Sequence, residues 1–166
     1  MDAFVQPLYE LADFDAIIRQ LKKPGIVQVS GCLDSQKAHF TNGLLREFPF
    51  RLIVAENDLK AKAFYEDFRL YDPEVLYYPA RDLIFYQADI HGNLLTRQRI
   101  QVLRALLERE EVTIVTSIDS CLDCLVPLAV WKEKVIKIRN DSEIDLDRMK
   151  RHLVELGYEW AAQVEV

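Results

Sequence analysis

The sequence predicts an α/β fold: a three-layer, doubly wound and mostly parallel sheet, followed by the start of a small α+β domain. Three observations predict it. Segments with helical spacing of apolar residues alternate with short runs of β-branched residues. No repeat or low-complexity tract interrupts this alternation. Half of the 166 residues are hydrophobic, which is enough to bury a sizeable core without disulfides or metals.

The first domain is predicted to cover residues 1–125. Its helices are expected at 11–21, 35–47, 59–71 and in the stretch after Gly92-Asn93 that carries Ile100, Leu103, Leu106 and Leu107. Its strands are expected at 26–30, 51–55, 75–78 and 112–116. A less regular connection is predicted at 79–91. Right-handed crossovers then place a ligand crevice at the carboxyl ends of the strands.

The second domain is predicted to begin at residue 126 and to run to residue 166. A strand is expected at 133–138, and Asp145 is expected to cap a helix that ends at Gly157. Apolar residues then alternate from Tyr158 to Val166, which predicts a half-buried strand. Because domains seldom stop within a strand, we expect this second domain to be truncated.

Charge argues against nucleic-acid binding by this chain alone. The net charge is -6, so non-specific binding to a phosphate backbone would need a local basic patch. Arg97, Arg99 and Arg104 share one predicted helix, but their spacing spreads them around it. The sequence therefore favours a solvated helix face here.

Cysteine usage and hydropathy indicate a cytoplasmic protein. Cys121 and Cys124 form one C-x-x-C without a second pair or a neighbouring histidine, so buried or half-buried structural thiols on a short helix are favoured over a metal or redox site. The apolar runs are too short for a membrane span, and the amino terminus lacks the basic region of a signal peptide.

A degenerate Walker A loop, G-x-x-x-x-G-K-[ST], is predicted between the first strand and its helix. It runs from Gly31 to Ala38, with Lys37 in register. Gln36 replaces the glycine that lets the backbone approach phosphates. Ala38 replaces the hydroxyl residue that holds magnesium. ATP hydrolysis should therefore fail, although a chance match remains the alternative reading of this stretch.

The sequence also lacks the acidic residues that would bind the metal ion in such a site. No D-E-x-x box follows a buried strand, and Asp119 alone is a poor substitute. Lys37 and the helix amino terminus still favour an anion, but only by about 0.3–1 kcal/mol at an exposed helix end. We expect no cofactor and no metal, and at most weak binding of phosphate or sulfate.

Other candidate groups favour structural roles. The histidines, His39, His91 and His152, lie on separate elements without a nucleophile motif. Two aspartate pairs, Asp119 with Asp123 and Asp145 with Asp147, fit helix starts and solvated faces better than acid/base pairs. The aromatic stretches 77–79 and 83–86 are more typical of packing than of base stacking. No catalytic residue is nominated.

These features resemble the amino-terminal part of bacterial transcription-repair coupling factors and, more distantly, the first domain of UvrB. The stretch 53–57 with Leu59, Ala63, Tyr65 and Phe68 is similar to the strand and helix of helicase motif Ia in UvrB. The stretch 113–117 is similar to a later strand of that domain. The resemblance covers nearly the whole chain and implies the P-loop helicase type of fold. The damaged loop and a connection at 77–91 too short for the DNA-clamping hairpin of UvrB favour the coupling factor.

The resemblance implies a non-catalytic docking and autoregulatory module in nucleotide excision repair, within a parent that is an ATP-dependent DNA translocase. It implies that the second domain, when complete, recruits UvrA. RNA polymerase and DNA would bind other parts of the parent. Tyr158, Glu159 and Trp160 are the candidate partner contacts, although the predicted strand would also explain these aromatics as core.

Two other functions stay open at this stage. The first is a nucleotide-binding or ATPase domain whose missing groups come from a partner or a later segment. The second is a DNA-binding helicase fragment, which the acidic balance disfavours.

Overall fold

A computed structural model of the chain describes residues 3–80, 89–136, 138, 140–141 and 143–161, with the backbone alone for 89–93 and 128. The chain forms two compact units, Met1–Asp123 and Cys124–Val166. The first unit contains a three-stranded sheet, and helices are the regular elements described in the second.

The sheet is parallel, as predicted. Its strands are β1 Phe50–Ala55, β2 Leu76–Tyr78 and β3 Val112–Ser117. Their spatial order is β1-β3-β2, so β3 is central. In register, Leu52 pairs with Ile114 across β1 and β3, and Leu76 pairs with Ile114 across β2 and β3. All six residues of β3 are buried, as expected of a strand covered on both faces.

The helices of the first unit cover both faces of this sheet. They are α1 Phe14–Leu21, α2 Asp34–Leu45, α3 Asp58–Phe68, α4 Asp89–Glu108 and α5 Ile118–Cys121, preceded by a 3-10 helix at Gln6–Glu10. The helix α4 begins earlier than predicted and contains Gly92. The amide carbonyl of the Asn57 side chain caps α3 by accepting a hydrogen bond from the Lys60 N–H at 2.9 Å.

Alternate residues of β3 divide the core into two layers. Val115 packs with Phe68 of α3 and Ala38 of α2 on one face. Ile114 packs with Val102 and Ala105 of α4 on the other face. The predicted arrangement of helices above and below a parallel sheet is therefore present, with three strands in the described part of the chain.

A third apolar cluster attaches the amino-terminal segment to α2. Val5, Leu8, Phe14 and Ile18 are buried together against Phe40 and Leu44. Gly43 of α2 lies where the amino-terminal segment contacts that helix, and a Cβ atom at this position would overlap Cδ1 of Leu8. Only glycine fits at this position of α2 without moving its neighbours.

The strand predicted at 26–30 is wrong. These residues form neither helix nor strand, and Ile26 is 99% exposed. An isolated extended segment leaves its backbone groups to solvent, because a strand gains its hydrogen bonds from a neighbour. No described strand pairs with this segment.

The second unit contains α6 Leu128–Lys134 and α7 Leu146–Glu155. Asp145 caps α7 as predicted, since its Oδ1 accepts hydrogen bonds from the N–H groups of Asp147 and Arg148 at 3.0 and 3.1 Å. Gly157 ends it with a φ of 89°. The strand predicted at 133–138 is wrong, because residues 133 and 134 are helical and the described residues after them are not in a strand. No described residue of this unit belongs to a strand with which residues 133–138 could pair.

A buried arginine connects α4 to the sheet and to the end of the first unit. The Arg99 side chain is only 7% exposed, and its guanidinium forms a 2.8 Å ion pair with Asp123. The same Nη1 donates a hydrogen bond to the carbonyl oxygen of Pro79 at 2.9 Å. The guanidinium also lies 4.2 Å from the ring centroid of Tyr78. The prediction of a solvated helix face is therefore wrong for Arg99, which holds β2, α4 and the end of α5 together.

We expect Arg99→Ala to destabilise the protein by about 3 kcal/mol, because it leaves Asp123 without its buried partner. Arg104→Ala is the matched control, since Arg104 lies on the same helix in an exposed pair with Glu108. It should cost less than about 0.5 kcal/mol. Urea unfolding followed by circular dichroism measures both, and equal midpoints for the two variants would contradict this role of Arg99.

Candidate functional site

The predicted phosphate loop lies largely within a helix. Gly31 adopts a left-handed φ of 89°, with nothing near the position of a Cβ atom. From Asp34 onward the residues belong to α2. The N–H groups of Gln36 and Lys37 both donate to the carbonyl oxygen of Leu33, at 2.9 and 3.2 Å. These amides are therefore already bonded and are not directed at an anion.

Gln36 uses its side chain to cap the helix from within. Its Oε1 accepts a hydrogen bond from the Leu33 N–H at 3.2 Å. The amide thus satisfies one of the donors that a helix start leaves unbonded. A Walker A loop has glycine at the position of Gln36. Here the Gln36 amide oxygen binds the Leu33 N–H, a backbone donor that a phosphate would need.

Lys37 is paired with an acid of its own loop. Its Nζ lies 2.6 Å from Oδ1 of Asp34, one turn earlier. The hydrogen bond and charge of Lys37, with a smaller contribution from Lys60, hold the pKa of the Asp34 carboxyl below its ordinary value. Lys60 itself pairs with Glu56, which raises the pKa of Lys60. Lys37 and Lys60 are therefore each paired with an exposed carboxylate.

The carboxyl end of β3 is occupied by a helix start. Ser117 Oγ accepts a hydrogen bond from the Ser120 N–H at 3.3 Å and lies 2.9 Å from the Ser120 hydroxyl. Asp119 is exposed in the first turn of α5, where it interacts favourably with the helix dipole. This agrees with the prediction that it marks a helix start.

The aromatic residues at the end of β2 are packed in the core. Tyr77 stacks on Tyr65, with ring centroids 5.3 Å apart, and its hydroxyl donates to the Asp58 carbonyl oxygen at 3.4 Å. Burial, helped by Asp58, raises the pKa of Tyr77 well above its ordinary value. The packing interpretation of 77–79 is confirmed, whereas the stretch 83–86 lies outside the described residues.

The remaining candidate groups do not converge on one centre. His39 bonds the Phe4 carbonyl oxygen and stacks on Tyr71, His152 lies on α7, and the His91 side chain lies outside the described residues. Across the described ranges, no group of three or more His, Cys, Asp or Glu is placed to hold a metal ion. None of the described helices is long and apolar enough to cross a membrane.

The cysteine pair departs from its prediction. Cys121 ends the short helix α5 as predicted, but Cys124 lies beyond that helix, and both side chains are exposed and not buried. Both cysteines follow the carboxyl end of β3, and no residue of the described core covers their thiols.

The predicted partner contacts are exposed. Tyr158, Glu159 and Trp160 are not in a strand, and Trp160 is 73% exposed. The Tyr158 N–H donates to the Leu153 carbonyl oxygen at 3.0 Å, so this segment turns back on the end of α7. Lys150 Nζ lies 5.4 Å from the Trp160 ring centroid. The predicted strand is wrong for 158–161, while 162–166 lie outside the described residues.

Comparison with known proteins supplies relatives of two kinds. A transcription-repair-coupling factor of Bacillus subtilis is 29% identical over 164 residues, or 96% of this chain. A UvrABC system protein B of Treponema denticola is 29% identical over 143 residues, or 86% of this chain. One from Anaplasma phagocytophilum is 32% identical over 129 residues. The chain is a homologue of transcription-repair-coupling factors and of UvrB.

The similarity covers only part of each relative. The chain spans 14% of the Bacillus subtilis protein and 20% of the Treponema denticola protein. No protein-family model matches the chain. The predicted resemblance to transcription-repair-coupling factors and UvrB is confirmed at the level of homology.

Two features of the site were not predicted from the sequence. The pairing of Lys37 with Asp34 was missed, although an acid three residues before a lysine at a helix start is its signal. The burial of Arg99 was missed because its partner Asp123 lies 24 residues later.

We expect Lys37→Met to raise the pKa of the Asp34 carboxyl toward its ordinary value, because Lys37 is the main cause of the shift. Lys60→Met is the control and should change that pKa less. A carbon-detected NMR titration of the Asp34 carboxyl measures both. The sign follows from the lowered pKa: any stabilisation from this exposed pair is present near neutral pH and is lost as acid protonates Asp34. If Lys37→Met leaves the Asp34 pKa unchanged, the pairing of Lys37 with Asp34 is contradicted.

Proposed function

We propose that this chain is a non-catalytic docking and autoregulatory module of a transcription-repair coupling factor, acting in nucleotide excision repair. In a protein with a complete second domain it recruits UvrA. Its homology to transcription-repair-coupling factors and UvrB supports the repair role. The single observation that carries the non-catalytic part is the Asp34–Lys37 ion pair at the start of α2.

The loop conformation argues against nucleotide chemistry. A triphosphate with magnesium needs free backbone donors, an unpaired lysine and a hydroxyl ligand. Here the donors of Gln36 and Lys37 are bonded to Leu33, the lysine is paired, and Ala38 has no hydroxyl. A carboxylate at the helix start also repels a phosphate. The degenerate Walker A loop is therefore proposed to be a structural relic of an ATP-binding ancestor.

The second unit is proposed to carry the partner contact. Tyr158 and Trp160 are large, exposed and adjacent, and aromatic residues of this kind are enriched where interfaces form. Lys150 lies beside Trp160 but is paired with Asp147, with Nζ 3.7 Å from Oδ1, so the proposed contact rests on the aromatic side chains and not on charge. We assign RNA polymerase and DNA binding to other parts of the parent protein, because the chain is acidic and its arginines are dispersed or paired.

We expect a form of the chain extended through the second domain to bind UvrA with micromolar affinity or better. In that form Trp160→Ala should weaken binding about tenfold or more, because a buried aromatic anchor is lost from the interface. Surface plasmon resonance with immobilised UvrA measures this.

Leu70→Ala is the control, because Leu70 is 79% exposed but lies in the first unit. It should leave UvrA binding unchanged. Absence of UvrA binding by the extended form at micromolar concentration would refute the docking role. Equal loss of binding in both variants would refute the placement of the contact at Trp160.

A further inference from the structure

The cysteine pair, Cys121 and Cys124, has no part in the proposed function. Both side chains are exposed, although a cysteine kept for packing is usually among the most buried residues of a protein. Their exposure argues against a structural role and leaves metal or redox chemistry. A metal site would need further ligands, and the described ranges contain no cluster of three such side chains. Redox chemistry is the remaining use of a C-x-x-C pair.

The chain turns between the two cysteines. Leu122 has right-handed helical angles, with φ at -80° and ψ at -11°, and Asp123 lies at a bend. The Leu122 N–H donates to the Asp119 carbonyl oxygen at 3.3 Å. The Asp123 N–H donates to the Ser120 carbonyl oxygen at 3.4 Å. Across a four-residue turn the first and last Cα atoms lie within about 7 Å, and a disulfide joins Cα atoms that are about 4.4–6.8 Å apart. The local backbone therefore brings the two exposed thiols within reach of each other.

The first unit holds this turn in place. Ser117, the last residue of β3, accepts a hydrogen bond from the Ser120 N–H at 3.3 Å. Asp123, which lies between the two cysteines in sequence, forms a 2.8 Å ion pair with the buried guanidinium of Arg99. A reacting group that is held near its partner has a higher effective concentration than the same group on a flexible chain. Folding should therefore favour a bond between the two sulfur atoms.

We propose that Cys121 and Cys124 form a reversible dithiol–disulfide site that exchanges with small disulfides of the glutathione class. One protein thiolate attacks a sulfur of the small disulfide, which forms a mixed disulfide and releases one small thiol. The other protein thiolate attacks the protein sulfur of that mixed disulfide and releases the second small thiol. The protein pair loses two hydrogen atoms in all, and the small disulfide gains them as it becomes two thiols. A reducing dithiol such as dithiothreitol reverses both steps.

The third cysteine of the chain is a matched control. Cys32 is half-buried and precedes α2, far from the pair in sequence. It has no second cysteine within a four-residue turn, so it can only form a mixed disulfide with a small thiol. Cys121 and Cys124 are exposed, so serine at either position should leave the fold intact.

Equilibration of the protein with mixtures of oxidised and reduced glutathione tests the site, with iodoacetamide to trap free thiols and peptide mapping by mass spectrometry. We expect an internal link between Cys121 and Cys124. Cys121→Ser and Cys124→Ser should each stop at a mixed disulfide with glutathione. Cys32→Ser should still form the internal link.

The same equilibration in urea measures what folding contributes. We expect the effective concentration of one thiol at the other to be at least about tenfold higher in the folded protein than in the unfolded chain.

Three results would overturn the proposal. The first is two separate mixed disulfides with glutathione at Cys121 and Cys124 in place of the internal link. The second is a link from either residue to Cys32 or to another molecule of the protein. The third is an effective concentration in urea that equals or exceeds the value in the folded protein.

Discussion

Burial of β3 on both faces is the constraint on which the first unit depends. Its apolar residues contribute to two core layers, and its polar ones are each bonded. Thr113 donates to Asp72 at 2.7 Å, and Thr116 donates to the Tyr78 carbonyl oxygen at 2.9 Å. A strand buried in this way tolerates hydroxyls only because they have partners. The same strand ends in Ser117, which starts α5 and brings Asp123 to Arg99.

The candidate site follows from how α2 starts beside this sheet. Ala38 is buried against the α3 layer, which fixes the position of the helix. Because the helix already begins at Asp34, the residues that would wrap a triphosphate are used to form its first turns. The Gln36 side chain then accepts the hydrogen bond of the Leu33 N–H at the helix start. Asp34 accepts the hydrogen bond of Lys37, the lysine that a nucleotide would otherwise bind. We therefore propose that Gln36, Ala38 and the local fold disfavour ATP for independent physical reasons.

Much of the first unit was predictable because its signals are local. The apolar spacing of α1 and α3, the proline that follows α2 and the β-branched run of β3 specify those elements within a few residues. The failures share a different cause. Residues 26–30 and 158–160 have strand periodicity, but a strand forms only where a second strand is available to pair with it. A short stretch of sequence does not show whether such a second strand exists. The burial of Arg99 depended on a distant aspartate in the same way.

The phosphate loop that we propose as a Walker A relic, residues 31–38, is expected not to bind a nucleotide with its metal. This expectation depends on the paired Lys37 and on the helical conformation of the loop. Isothermal titration calorimetry of the chain with magnesium-ATP tests it most directly. We expect a dissociation constant no tighter than about 1 mM, close to -4 kcal/mol of binding free energy. A micromolar dissociation constant would contradict it.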